Sequence, residues 1–66
     1  MIKLTATGTF DLWLNAKHIS EVHRYRWQTN GKEAEILTKV CMVSGHEYIV
    51  VESVEDVIRL AEGAGQ

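Results

Sequence analysis

The sequence predicts an α+β, mainly β, fold: a four-strand antiparallel β-meander, able to curl into a partial barrel, with one C-terminal α-helix. Three observations carry this expectation. Apolar and polar residues alternate with period two over several stretches between Ile2 and Val51, as half-buried strands require. Chain breakers fall between those stretches, at Gly8, Asn15, Asn30-Gly31, Gly45 and Gly63. After Glu52 the apolar spacing turns helical.

Ile2-Lys3-Leu4-Thr5 alternates as a strand should, and Thr7-Gly8-Thr9 suits a hairpin turn. Phe10 to Leu14 returns, with Phe10, Leu12 and Leu14 on one face and Trp13 on the other. Asn15-Ala16-Lys17-His18 reads as a short turn, because an asparagine side chain bonds its own downstream backbone. Ile19 and Val22 are spaced for a helical turn or a bulge rather than a straight strand. The chain then runs extended through Trp27 to Asn30-Gly31, the pair preferred in a type I′ hairpin turn.

Glu33 to Val43 is a long strand with Ala34, Ile36, Thr38, Val40 and Met42 on one face. Leu37, Cys41 and Val43 lie on the other. Ser44-Gly45 turns the chain, and His46 to Val51 forms the last strand. Ser53 is placed as helix N-cap, Asp56 takes the far corner of a capping box, and Glu55 and Asp56 suit the positive end of the helix dipole. Val54, Val57, Ile58 and Ala61 form the apolar face, Gly63 is the expected stop, and residues 62–66 are expected to be a flexible tail.

The chain has 66 residues, which make a single domain. A domain of this size buries only roughly 60% of its unfolded surface, so disulfides, a metal or oligomerisation commonly support it. One cysteine, Cys41, excludes an internal disulfide and fits a reducing compartment. Met1 to Thr5 lacks the apolar run of an export signal, and no stretch is long enough to span a bilayer. The expected location is cytoplasmic, the host cytoplasm if the protein is phage-encoded. Seven basic and nine acidic residues give a net charge of −2, which argues against non-specific binding to nucleic acid.

The opening Met1-Ile2-Lys3-Leu4-Thr5, the Trp13-Leu14-Asn15 followed by Ile19 and Val22, and the closing segment Gly45 to Ile58 resemble the small flagellar FlbD-like (swarming-motility) family. The resemblance implies a small β-rich fold, a bacterial or phage origin and no catalytic residues. The chain departs from the family at Asn15-Ala16, where members commonly carry Asn-Pro, and in a longer middle hairpin from His23 to Lys39.

The patch that stands out is His23-Arg24-Tyr25-Arg26-Trp27. On an extended strand Arg24 and Arg26 point one way, and His23, Tyr25 and Trp27 the other. Paired arginines grip phosphate or carboxylate, and aromatics stack on a base or fill a partner's pocket. The plainer alternative is an edge strand kept soluble by charge, with its aromatics packed on the core or on a sister subunit. His18, His23, His46 and Cys41 lack the tight paired spacing of zinc ligands, so no metal or other cofactor is expected. Cys41 between Val40 and Met42 reads as a small hydrophobe. No nucleophile elbow, zinc-protease motif or phosphate-binding glycine loop occurs. No enzymatic activity is therefore expected.

Trp13, Leu37, Cys41, Val43, Ile49 and Val51 form a second apolar set that one helix cannot cover together with the first. These six are the expected oligomer interface. The resulting expectation is a non-enzymatic homo-oligomeric interaction or accessory protein. The alternative is a binder of nucleotide or cyclic-nucleotide phosphate at an inter-subunit patch built from His23, Arg24, Tyr25, Arg26 and Trp27.

Overall fold

The computed structural model describes every residue except Thr29, Lys32, Gly65 and Gln66, and at Ala64 the backbone alone. Its strands are β1 (Ile2–Ala6), β2 (Phe10–Leu14), β3 (Ile19–Trp27), β4 (Glu35–Met42) and β5 (Glu47–Val50), followed by the helix α1 (Val54–Ala64). The fold is α+β and mainly β, with an open antiparallel sheet. It has five strands rather than four, because Ile19–Trp27 pairs with β4 over nearly its whole length.

The strand order is β2-β1-β5-β4-β3, so the sheet is not a simple meander. A hairpin, β1–β2, and a true meander, β3–β4–β5, meet where β1 lies beside β5. The chain crosses from one edge of the sheet to the other through a single 3₁₀ turn, Ala16–His18. Asn15 caps this turn as its side chain predicts, with Oδ1 accepting from the Lys17 amide at 3.0 Å.

The junction between the two halves is short. Ala6 and Val50 are its one registered pair among the described residues, flanked by Val51 N–H to Thr5 C=O at 2.9 Å. Where a further ladder bond is due, β5 has already turned away. The Glu52 carboxylate takes its place, accepting the Thr5 amide at 2.8 Å. The Glu52 carbonyl in turn accepts the hydroxyl of Thr38, a fully buried residue on β4, at 2.6 Å. Glu52, just before the helix cap, thus ties three strands together.

Directly opposed residues share a face, so the register assigns every strand residue to one side. Ile2, Leu4, Leu14, Val40, Val50 and Val57 form the buried core, with Leu12, Ala16, Ile19, Val22, Met42 and Tyr48 packed around them. This is the side that α1 covers. Leu4, Val40, Val50 and Val57 are completely buried. Ser53 caps the helix, its hydroxyl accepting the Asp56 amide at 3.1 Å. Val57 is buried, Val54 and Ala61 are partly buried, and Ile58 is exposed at the rim. The helix continues through Gly63 to Ala64, so Gly63 is not its stop and Glu62 to Ala64 are not tail; Gly65 and Gln66 lie outside the described residues.

Two local features set the shape of β3. The ladder shifts by one residue between Ile19, opposite Met42, and Glu21, opposite Cys41. Ser20 is the extra residue of this bulge, and its hydroxyl donates to the Cys41 carbonyl at 3.1 Å. The bulge lets Ile19 and Val22 both face the core. At the other end the ladder closes at Trp27 and Glu35, so the connection is longer than the two-residue turn expected at Asn30-Gly31. Gly31 does take positive φ, +77°. The long hairpin stretches the molecule to 43 × 20 × 19 Å.

Removing the Thr38 hydroxyl leaves the Glu52 carbonyl without its donor at the junction of the two halves. Thr38→Val should lower stability by about 1–2 kcal/mol in urea denaturation, whereas Thr38→Ser, which restores the donor, should recover part of that loss.

Candidate functional site

The outer face of the sheet, on the side away from α1, carries most of the residues that draw attention in the sequence. From the register, Lys3, Asp11 and Trp13 lie on it at the β1–β2 end, and Glu21, His23, Tyr25, Trp27, Leu37, Lys39, Cys41, Glu47 and Ile49 at the other. Two ion pairs bracket it: Lys3 to Asp11 at 3.7 Å and Lys39 to Glu47 at 3.2 Å. The first is solvent-exposed and the second half-exposed at Lys39, and both are of modest energetic weight.

The same face carries an apolar cleft of about 280 Å³, lined by Thr7, Trp27, Glu35, Leu37 and Ile49. Its floor is Leu37, which is only 9% exposed although no helix covers it. Tyr25 stands directly across from Leu37 on the edge strand. The Tyr25 and Trp27 rings lie 6.3 Å apart at 47°, a tilted pairing of the kind aromatic quadrupoles favour. Lys39 places its ammonium 5.4 Å from the Tyr25 ring centroid, within cation–π range. Trp27 remains 48% exposed at the mouth of the cleft.

The five residues of the basic and aromatic patch therefore divide between two faces. His23, Tyr25 and Trp27 are on the outer side. Arg24 and Arg26 are on the helix side, opposite Thr38 and Ile36. Arg24 is already engaged, with Nη2 donating to Glu55 Oε1 at 3.0 Å. A single chain thus does not present the guanidinium groups and the aromatic rings to one ligand.

The six residues expected at an oligomer interface are also distributed. Trp13 is 59% exposed but sits on β2, at the opposite edge from Trp27. Val43 and Val51 are exposed and lie beyond the ends of their strands. Leu37 is buried, and Cys41 and Ile49 are partly buried by neighbours on their own face. One chain thus covers a share of the second apolar set by itself, and Trp13, Val43 and Val51 remain as its exposed members.

Of the histidines, His18 ends the 3₁₀ turn and His46 sits in the turn before β5, both exposed. His46 Nδ1 lies 3.0 Å from the Ser44 hydroxyl. His23 is different. Its Nε2 is 2.8 Å from Glu21 Oε2, and both stand beside Cys41 on the neighbouring strand. A search for paired ligands along the chain misses this group, because it is assembled across two strands. The available signal was Glu21-x-His23, since residues two apart share a face on a strand.

Comparison with protein-family models, curated proteins and solved structures finds no match for this chain. Among the described residues no helix is long and apolar enough to cross a membrane.

Glu55 has the one shifted titration resolved among the described residues, held below the ordinary carboxylate value. Its own backbone amide, at the start of α1, contributes most. Partial desolvation opposes the shift, and the Arg24 guanidinium and Ser53 hydroxyl add to it. A depressed carboxyl pKa stabilises the fold fully above the unfolded value and loses that contribution as pH falls through the folded value. Glu55→Gln should therefore have a slightly lower urea midpoint than the parent at neutral pH. The two midpoints should converge as the pH falls below the unfolded carboxylate value and through the depressed folded one.

Proposed function

We propose that this chain is a non-enzymatic interaction protein that associates with a second copy of itself through the outer face around Trp27. The observation that carries the reading is the pairing of a projecting group with a receptive one on the same surface. Trp27 stands half exposed at the mouth of an apolar cleft floored by Leu37 and walled by Ile49. A surface bearing both knob and hole is self-complementary, as a two-fold interface requires. The patch adjoins β3, an edge of the sheet, and β-edges are natural places for a second chain to join. Lys39 and Glu47, already neutralising one another, supply the kind of polar rim that surrounds an apolar centre.

The accessory role and the bacterial or phage origin implied by the FlbD-like resemblance belong to this proposal, resting on the residues that carry the resemblance. The phosphate-ligand reading is less favoured, because Arg24 is paired with Glu55 and both arginines face away from Tyr25 and Trp27. It requires a second copy to bring arginines and rings to one side.

Sedimentation equilibrium of the purified chain is expected to show a dimer at tens of micromolar. Trp27→Glu should weaken it at least about thirtyfold, the effect of losing an interface hot spot of ~2 kcal/mol. Because Trp27 is half exposed, circular dichroism should show the variant folded. A folded monomer for the parent chain at that concentration, or a dimer indifferent to Trp27→Glu, would overturn the reading.

A further inference from the structure

We propose that Glu21, His23 and Cys41 form a binding site for a divalent transition-metal ion of the zinc class. The site is separate from the Trp27 cleft, at the other end of the β3–β4 ladder, and does not depend on self-association. One donor atom from each residue, a carboxylate oxygen, an imidazole nitrogen and a thiol sulfur, lies within 4.8 Å of the other two. Ligand atoms around a tetrahedral zinc stand roughly 3.3–3.6 Å apart, as follows from metal–ligand bonds of roughly 2.0–2.3 Å. The closing movement is therefore about an ångström. Glu21 and His23 are free to make it, their side chains being 63% and 53% exposed.

The donor set selects the metal. A thiolate and an imidazole favour zinc and its borderline-soft neighbours over magnesium or calcium, which prefer an all-oxygen shell. Three protein ligands leave the fourth tetrahedral position to water. Glu47 faces Cys41 from β5 but is occupied by Lys39 at 3.2 Å. Lys39, the cross-strand partner of His23, has its charge offset by that pairing.

The backbone supports the grouping. If the ladder ran unbroken from the Ile19–Met42 pair, Glu21 would oppose Val40 and His23 would oppose Thr38, turning both toward the core. The bulge at Ser20 shifts the register by one, setting Glu21 opposite Cys41 and His23 opposite Lys39 on the outer face. Bulges commonly re-aim side chains beside functional sites. Here Ser20 also fixes the backbone of a ligand residue, through its hydrogen bond to the Cys41 carbonyl. The 2.8 Å contact of His23 Nε2 with Glu21 is the contact a metal would replace, with loss of the shared proton.

The test uses the full chain, free of any affinity tag and reduced, titrated with cobalt(II) as a spectroscopic stand-in and then with zinc in competition with a chromogenic chelator. One cobalt per chain is expected, with a thiolate-to-cobalt charge-transfer band and visible bands of tetrahedral intensity, both displaced by zinc. Cys41→Ser should abolish the charge-transfer band. His23→Ala and Glu21→Gln, at exposed positions where folding is not at stake, should each weaken zinc binding at least about tenfold, the loss that even outer-shell partners can cause. Absence of the band in the folded parent chain would overturn the assignment. So would a band that survives both exposed substitutions with unchanged affinity, since that is the behaviour of a lone thiol.

Discussion

The whole architecture hangs on the seam between β1 and β5. On one side of it stands a simple hairpin, on the other a three-strand meander, and neither half has enough apolar surface of its own to enclose a core. The seam brings Ile2 and Leu4 against Val40 and Val50, and the helix then closes over them through Val57. Yet the strands share a single registered pair there among the described residues. Glu52 compensates, lending a carboxylate to β1 and a carbonyl to β4 at the point where the chain leaves the sheet for the helix. The fold is thus held by packing across the junction and by one residue that bonds in two directions. Arg24 and Glu55 add an exposed tie between the long hairpin and the helix, too solvated to matter much on its own.

This arrangement leaves the two faces of the sheet with different obligations. The helix side holds the core and provides the stability, with Phe10 and Ile36 left exposed at its margins. The outer side carries what stability does not require: an aromatic pair, an apolar cleft, two ion pairs and a mixed cluster of metal-type donors. The division follows from strand alternation alone, since neighbouring residues on β3 go to opposite sides. It is also why the two arginines and the two aromatic rings of that strand, adjacent in the chain, do not work on the same surface.

Much of this was legible in the sequence because it depends on neighbours in the chain. Asn15 announces its own turn, Ser53 its own cap, and the alternation of β4 gives both of its faces. The irregular spacing of Ile19 and Val22 points to the bulge that is found. What sequence could not supply depends on partners far along the chain. Nothing near Thr5 indicates that Glu52 will bond it, and nothing in the turn residues says that β1 will lie beside β5 rather than at the end of a meander. The Glu21, His23 and Cys41 grouping was hidden for the same reason: it exists only once β3 and β4 are registered, and that register depends on a single extra residue.

That extra residue also determines how the protein tolerates changes in length. Losing the codon for Ser20 would leave Ile19 and Val22 pointing inward with one residue between them, as in an ordinary strand, so the ladder could absorb the deletion. Losing a codon anywhere between Val22 and Trp27 would reverse the sidedness of everything after it, sending an aromatic ring toward the helix and an arginine out. Along one short strand, then, the same genetic event is a straightening at one position and an inversion at the others. Natural variants of this chain that differ in length within β3 are expected to differ at Ser20.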